Sequence, residues 1–264
     1  MSASRTSGSD VPDDVRASTV TVEMLGEGVN VAVVTFSAGR NNYVNYELLD
    51  QLASTLEGLE STASRAVVIR TTSRHFCAGA DFSGGGRGQI RELVPRLVCS
   101  PLPVVAAVGG AAIGAGLGLA LAADFRVATR SAYFLANFTR LGISQGFAVS
   151  LTLPRLVGAQ QAAEMLYTAR RVGGEEALAL GLCDRLAEED RLDDEAIALA
   201  TEIAKSSPLA LSAARRVLRA DLKDEIDATL ERERSEQLPL MDTEDFREGV
   251  RAWREKRIPE FRGI

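Results

Sequence analysis

The chain of 264 residues is poor in the residue types that staple small folds or carry most side-chain chemistry: it has three cysteines, one histidine and one tryptophan. Cys77, Cys99 and Cys183 are odd in number, widely spaced and free of any CxxC pair. That pattern argues against a disulfide framework and against a zinc site. With His75 alone, only one side chain titrates near neutrality at its ordinary value. There is no excess of positive charge either, since 30 Lys and Arg stand against 36 Asp and Glu for a net charge of −6. Phosphate backbones demand clustered bases, so no nucleic-acid partner is expected. The one modest concentration is Arg247, Arg251, Arg254, Lys256 and Arg257. No Gly-Lys-Ser/Thr phosphate loop occurs, and no GxGxxG directly follows a strand-like run, which leaves both nucleotide readings weak. Residues 1–18 lack an apolar h-region and are rich in Ser, Gly and Asp. They read as a disordered tail rather than a secretory signal, and a reducing cytoplasm is the expected compartment.

What is present is length and apolar patterning. A chain of this size buries roughly 70–75% of its unfolded surface and needs no staples. No charge falls between Arg96 and Asp124, a run long enough to span a bilayer. Pro101, Pro103 and Gly109-Gly110 interrupt it, however, so a buried strand followed by a buried helix is the expectation, with no membrane. Residues 19–25 and 29–36 read as strands joined by a hairpin turn at 26–28. Leu48, Leu49, Leu52, Leu56 and Leu59 give helical spacing across 46–60. Further strands are expected at 66–71, 104–108 and 125–128, and a small-residue helix from about Gly114 to Ala122. Residues 83–88 have no turn-specific pattern and are expected to be mobile. Helical periodicity then runs through 159–169, 174–180, 190–206, 208–220, 223–236 and 243–256. The reading is an α/β chain: a tail over 1–18, a core over 19–200 and a helical region over 201–264.

Two segments place glycine and alanine directly after a strand: Phe76 to Asp81, and Gly109 to Gly118. Small residues let a ligand approach the backbone, and a helix start leaves N–H groups free where the dipole favours negative charge. Two such amides aimed at one point make an oxyanion hole. Close helix–strand packing demands the same small residues, so both readings stand.

Four segments in order carry a resemblance to a known family. Asn42-Tyr43-Val44-Asn45 with Glu47-Leu48-Leu49 resembles an Asn-Ala-Leu-Asn entry to a first helix. His75 to Asp81 resembles a Phe-x-Ala-Gly-Ala-Asp loop, and Gly109 to Ala122 with Asp124 a Gly-x-x-x-Gly-Gly-Gly helix start. Thr243 to Gly249 through Trp253 to Arg257 resembles a C-terminal helix of the type EDxxEGxxAFxEKR. The family is the crotonase (enoyl-CoA hydratase/isomerase) superfamily. The resemblance implies a spiral of ββα units with a helical C-terminal trimerisation region, hence a homotrimer or dimer of trimers. It implies an acyl-CoA thioester as ligand, no cofactor beyond the coenzyme A that the substrate carries, and lyase or isomerase chemistry of fatty acid metabolism. The oxyanion amides would be those of Ala80 and Ala115, the latter in place of a glycine. Ala78 would line the adenine end, and Trp253 and Lys256 would contact coenzyme A, from the same or a neighbouring subunit. Gly114 would lie at the substrate beside Ala115.

The chain also departs from the family. The positions that resemble the two hydratase glutamates are Gly118 and Phe138, and the dehalogenase aspartate position is Gly146. Asn137 to Gly146 contains no carboxylate, so efficient hydration is doubtful. Tyr43, Thr139, Ser144 and Gln145 are left as groups able to orient a substrate, with Asp81 either facing the pocket or capping. His75 is expected at a strand end, and Cys77 as a small buried residue. The alternative to an enzyme is an acyl-CoA-binding protein with little or no catalysis; a nucleotide-dependent oxidoreductase is a weaker third.

Overall fold

The computed structural model describes residues 18–26, 28–80 and 90–264. Asp81 and the 83–88 stretch, for which a pocket role and mobility were expected, lie outside the described residues. β1 (Thr19–Met24) and β2 (Val31–Ser37) pair antiparallel, Thr19 opposite Ser37 and Met24 opposite Ala32. β3 (Ala66–Thr71) and β4 (Val104–Val108) add parallel to β2. β5 (Ala111–Ile113) then leaves this sheet, while β6 (Phe125–Thr129) returns to it beside β4. β7 (Tyr133–Leu135) and β8 (Arg171–Gly173) join β5 in a three-stranded sheet, and β9 (Arg185–Ala187) closes the larger sheet in the order β1-β2-β3-β4-β6-β9.

The period-2 alternation of these strands sorts apolar side chains onto two faces. Ala32, Val34, Phe36, Val67, Ile69, Val104 and Ala106 enter the larger core. Their neighbours Val31, Val33, Ala66, Val68, Val105 and Ala107 enter a second one. Both faces are therefore covered, as the near-continuous apolar runs require. On the first lie α1 (Tyr46–Gly58), α2 (Ile90–Val98), α3 (Ala115–Ala122) and α4 (Val149–Thr168). Asn45 caps α1 by accepting from the Leu48 N–H at 2.8 Å, an arrangement typically contributing about 1 kcal/mol. α5 (Gly174–Ala179) packs beside β7, β8 and β9, and α6 (Leu192–Ala204) covers the second face with Ala196, Leu199 and Ala200.

The chain ends in α7 (Pro208–Leu218), α8 (Ala220–Leu240) and α9 (Glu244–Glu255). Charge fixes the first joint. Arg215 Nε and Arg219 Nε reach Asp124 Oδ1 at 3.0 and 2.9 Å, and Arg219 also donates to the carbonyls of Val98, Ala122 and Ala123. Two cations thus sit at the C-terminal ends of α2 and α3, where the helix dipoles favour them. The tail returns over α9: the Asp245 carboxylate accepts from Arg262 N–H and Gly263 N–H at 2.7 and 2.8 Å.

The uncharged run that could have crossed a bilayer is the buried strand β4, β5 and the buried helix α3. Among the described residues no helix is long and apolar enough to cross a membrane. α4 starts ten residues before the expected helix at 159, and Gly158 at φ 79° breaks its backbone midway. α2 and the short strands β5, β7, β8 and β9 leave no legible signal in the sequence, because three residues give no period and Pro95 sits inside α2. Ser18 is buried and donates to Asn45 Oδ1 at 3.2 Å.

Candidate functional site

The two small-residue segments meet. Cys77 and Ala112 form a parallel bridge, Cys77 N–H donating to Ala111 O at 2.9 Å and Ile113 N–H to Cys77 O at 3.0 Å. Three residues beyond each partner stand Ala80 and Ala115, so the two alanines lie at the same offset on chains that leave the bridge in parallel. Ala115 is the first residue of α3, where backbone N–H groups have no intrahelical acceptor. Among the described residues nothing accepts from the N–H of Ala115 or of Ala80. Val44 bridges Ala80 and takes the Gly79 carbonyl at 2.8 Å, which turns the Ala80 N–H away from that strand.

Two glycines make the approach possible. Gly114, with φ 53° and ψ −112°, turns the chain from β5 into α3 in a conformation closed to L side chains. At Gly116 a Cβ would fall 2.3 Å from the Cys77 carbonyl oxygen, so α3 can lie against the 76–80 loop only without a side chain there.

The two positions that the resemblance matches to carboxylates, Gly118 and Phe138, sit among aromatic rings. A Cβ on Gly118 would lie 2.6 Å from Phe147 Cδ1: the aromatic ring fills the space into which a side chain at 118 would project. Phe138 is buried, and its ring edge lies 3.9 Å from the place of a Cβ on Gly114. Asn137, also buried, brings its Oδ1 within 3.0 Å of that same point. Aromatic carbon therefore lines the approach to α3 from two directions.

The remaining expected groups divide. Ala78 is half-buried and its N–H donates to Asn41 O at 3.0 Å; Tyr43, also half-buried, stands next to Val44. Gln145 is half-buried, and the Ser144 hydroxyl oxygen is buried with no hydrogen-bond partner among the described residues. Thr139 does not orient toward the loops: its hydroxyl donates to Leu166 O at 2.9 Å and ties the turn to α4. Trp253 is exposed on the last turn of α9 and Lys256 is exposed at its left-handed C-cap, and among the described residues neither side chain has a hydrogen-bond or ion-pair partner. Their helix packs on the Thr139–Leu141 turn, where a Cβ on Gly249 would lie 2.5 Å from the Leu141 backbone.

His75 and Cys77 are structural. His75 Nδ1 accepts from Ala111 N–H at 3.3 Å, which needs the neutral ring; burial first, and then Arg74, lower its pKa. Burial pushes the Cys77 thiol up to about 12, against weaker opposition from backbone N–H groups. Such a thiol is no nucleophile at neutral pH.

The sequence reading missed Phe147, Glu233 and Gln237. Glu233 lies on α8, where Glu231, Arg232, Arg234 and Glu236 surround it in sequence and make it look like one more solvated charge. It is buried, at 5% exposure, and accepts from Ala148 N–H, Ser150 N–H and Ser150 Oγ at 2.8, 2.9 and 2.6 Å. Burial raises its pKa, and the hydrogen bonds from Ser150 and Ala148 pull it back in part.

The arrangement defines a class of mixed α/β protein in which a small-residue helix start is set against a small-residue loop. Within that class, the enoyl-CoA hydratase/isomerase family matches residues 26–263, and the chain belongs to that family, with the crotonase fold. It is 35% identical over 250 residues to a probable enoyl-CoA hydratase of Rhodobacter capsulatus, across 90% of this chain and 96% of the relative. It is 35% identical over 231 residues to the 2,3-dehydroadipyl-CoA hydratase of Escherichia coli, across 84% of this chain and 91% of that one. The crystal structure of an enoyl-CoA hydratase/isomerase from Pseudoalteromonas atlantica T6c superposes with a TM-score of 0.83 at 31% identity, covering 92% of this chain and 99% of that chain.

Proposed function

We propose that the protein binds an acyl-CoA and polarises its thioester carbonyl between the N–H groups of Ala80 and Ala115. The observation that carries this reading is their matched offset beyond the Cys77–Ala112 bridge, each N–H without an acceptor among the described residues. Charge developing on a thioester oxygen as an enolate forms is what such a pair stabilises; one donor typically contributes about 10²–10³ in rate. Gly114 lets the acyl group approach the backbone, and Ala78, Tyr43 and Gln145 flank the ligand. Trp253 and Lys256 meet the coenzyme A, Lys256 as a point charge toward phosphate. The chain works as a trimer or pair of trimers in the cytoplasm, and coenzyme A enters only as part of the substrate.

Hydration with paired carboxylates is not part of this function. General acid–base addition of water needs ionisable groups within reach of the reacting carbons. A ring over Gly118 and Phe138 itself stand at the two positions instead. The aromatic lining also favours a second reading, in which the acyl-CoA is held with little or no turnover.

The test combines two measurements on the whole protein. Bound cinnamoyl-CoA reports polarisation as a red shift of its conjugated thioester absorbance, and crotonyl-CoA reports hydration by loss of its own. A red shift with hydration near background is expected. Binding without a shift, or no binding, overturns the role of the two amides. Hydration at the rate of a good hydratase overturns the absence of an acid–base pair. Turnover of other acyl-CoAs, by decarboxylation or hydrolysis, separates the enzyme from the binding protein.

A further inference from the structure

Between the Thr139–Leu141 turn and α4 the chain reverses through Phe147 and Ala148, both left-handed at φ 64° and 58°. Residues with a Cβ hold that conformation only where their surroundings impose it. Here α8 imposes it from one face. Gln237 Nε2 donates to the Ser144 carbonyl at 2.7 Å, before the reversal. Glu233, one turn earlier on α8, accepts from Ala148 N–H and from Ser150 N–H and Oγ, after it. Residues four apart share a helix face, so the two side chains grip the segment on either side of Phe147. The amides of Ala148 and Ser150, two residues apart, converge on the carboxylate, and both Glu233 oxygens are used as acceptors. Glutamine cannot replace it, because its amide nitrogen would face one of the N–H donors.

We propose that Glu233 is a positioning residue for acyl selection: by holding Ala148 and Ser150 it keeps the Phe147 ring over Gly118, where the ring closes the acyl end of the site and restricts it to short, compact acyl thioesters. This rests on the thioester reading of the site. The ring, not a side chain on α3, is then the specificity wall, and its placement is set from a helix 86 residues away in sequence (Phe147 to Glu233).

Calorimetric binding of butyryl-CoA and octanoyl-CoA, both saturated and inert to hydration, tests it on the full chain. The wild type should prefer the short ester. F147A should shift the affinity ratio toward octanoyl-CoA by at least about tenfold, the scale at which pockets discriminate methylenes. E233Q should shift it the same way by less, and F147A/E233Q should match F147A alone. A lowered melting temperature in E233Q with the ratio unchanged makes Glu233 merely structural and overturns the proposal, as does an unchanged ratio in F147A. If E233Q does not fold, Q237A releases the other grip in the same assay; a shift toward octanoyl-CoA supports the proposal and none overturns it. Wild-type protein that binds neither ester overturns the thioester reading as well.

Discussion

The two ends of the site are built from different materials. The end at Ala80 and Ala115 is backbone: N–H groups, a parallel bridge, and glycines that exist so that nothing stands in the way. The end at Gly118 and Phe138 is side chain, and aromatic carbon stands where the family resemblance implies carboxylates. Backbone donors tolerate sequence change, since an alanine at 115 offers the same N–H as a glycine. Side-chain chemistry tolerates none, since Gly118 and Phe138 carry no proton. A chain can therefore keep free backbone N–H groups at one end of a site while the side chains at the other end are replaced.

The largest effect should come from filling the backbone end. G116A would drive a Cβ into the Cys77 carbonyl at 2.3 Å, forcing α3 away from the 76–80 loop. A loss of about 3 kcal/mol in chemical denaturation is expected, together with loss of acyl-CoA binding. Denaturation unchanged within about 0.5 kcal/mol would mean the two segments do not pack as described.

The next effect sharpens the side-chain end. G118E should cost about 2–3 kcal/mol, because its Cβ meets the Phe147 ring. F147G, which removes both the ring and the Phe147 Cβ that lies 2.7 Å from the same point, should also destabilise, yet the double variant with G118E should be less unstable than the sum by about 1–3 kcal/mol. Strict additivity would show that ring and glycine do not compete for one space. Introducing glutamates at 118 and 138 alone is thus an unsound route to hydratase activity; both the ring and the Cβ at 147 have to make room as well.

The smallest effect distinguishes the two ends by pH. His75 has a lowered pKa, so its contribution is fully present above the unfolded value of about 6.5 and is lost as pH falls through the folded one. Glu233 has a raised pKa, so its contribution is present below the unfolded value of about 4.3 and is lost as pH rises through the folded one. Acidification from pH 7 therefore removes the His75 contribution at Ala111, whereas it relieves the burial penalty on the Glu233 carboxylate. Melting temperatures of H75Q against wild type, followed from pH 7.5 to 5, should converge with acid; parallel curves would remove His75 from the account.

Much of the backbone end was legible in the sequence. The strands at 66–71 and 104–108 came from their apolar runs, and the segment 109–118 drew notice by composition alone. The bridge that brings 77 to 112 was not legible, since β5 has three residues and reads as a glycine break. At the other end the loss of carboxylates was plain from Gly118 and Phe138. What fills the space was not, because Phe147 reaches Gly118 through a left-handed reversal that no local pattern announces. Glu233 was hidden by its charged neighbours on α8. Its partners lie 85 and 83 residues away in the chain.

The ring over Gly118 also gives the site a direction of change. From this state a residue larger than glycine at 118 is blocked until 147 has itself become glycine or its backbone has moved, since the Phe147 Cβ lies 2.7 Å from that point as well as the ring, whereas 147 can shrink while 118 stays glycine. Two substitutions that would be interchangeable in order on an open surface are here sequential. The ring and its Cβ act as a ratchet: an ionisable side chain can enter α3 at 118 only after a change on a different segment, at a residue with no ionisable group of its own.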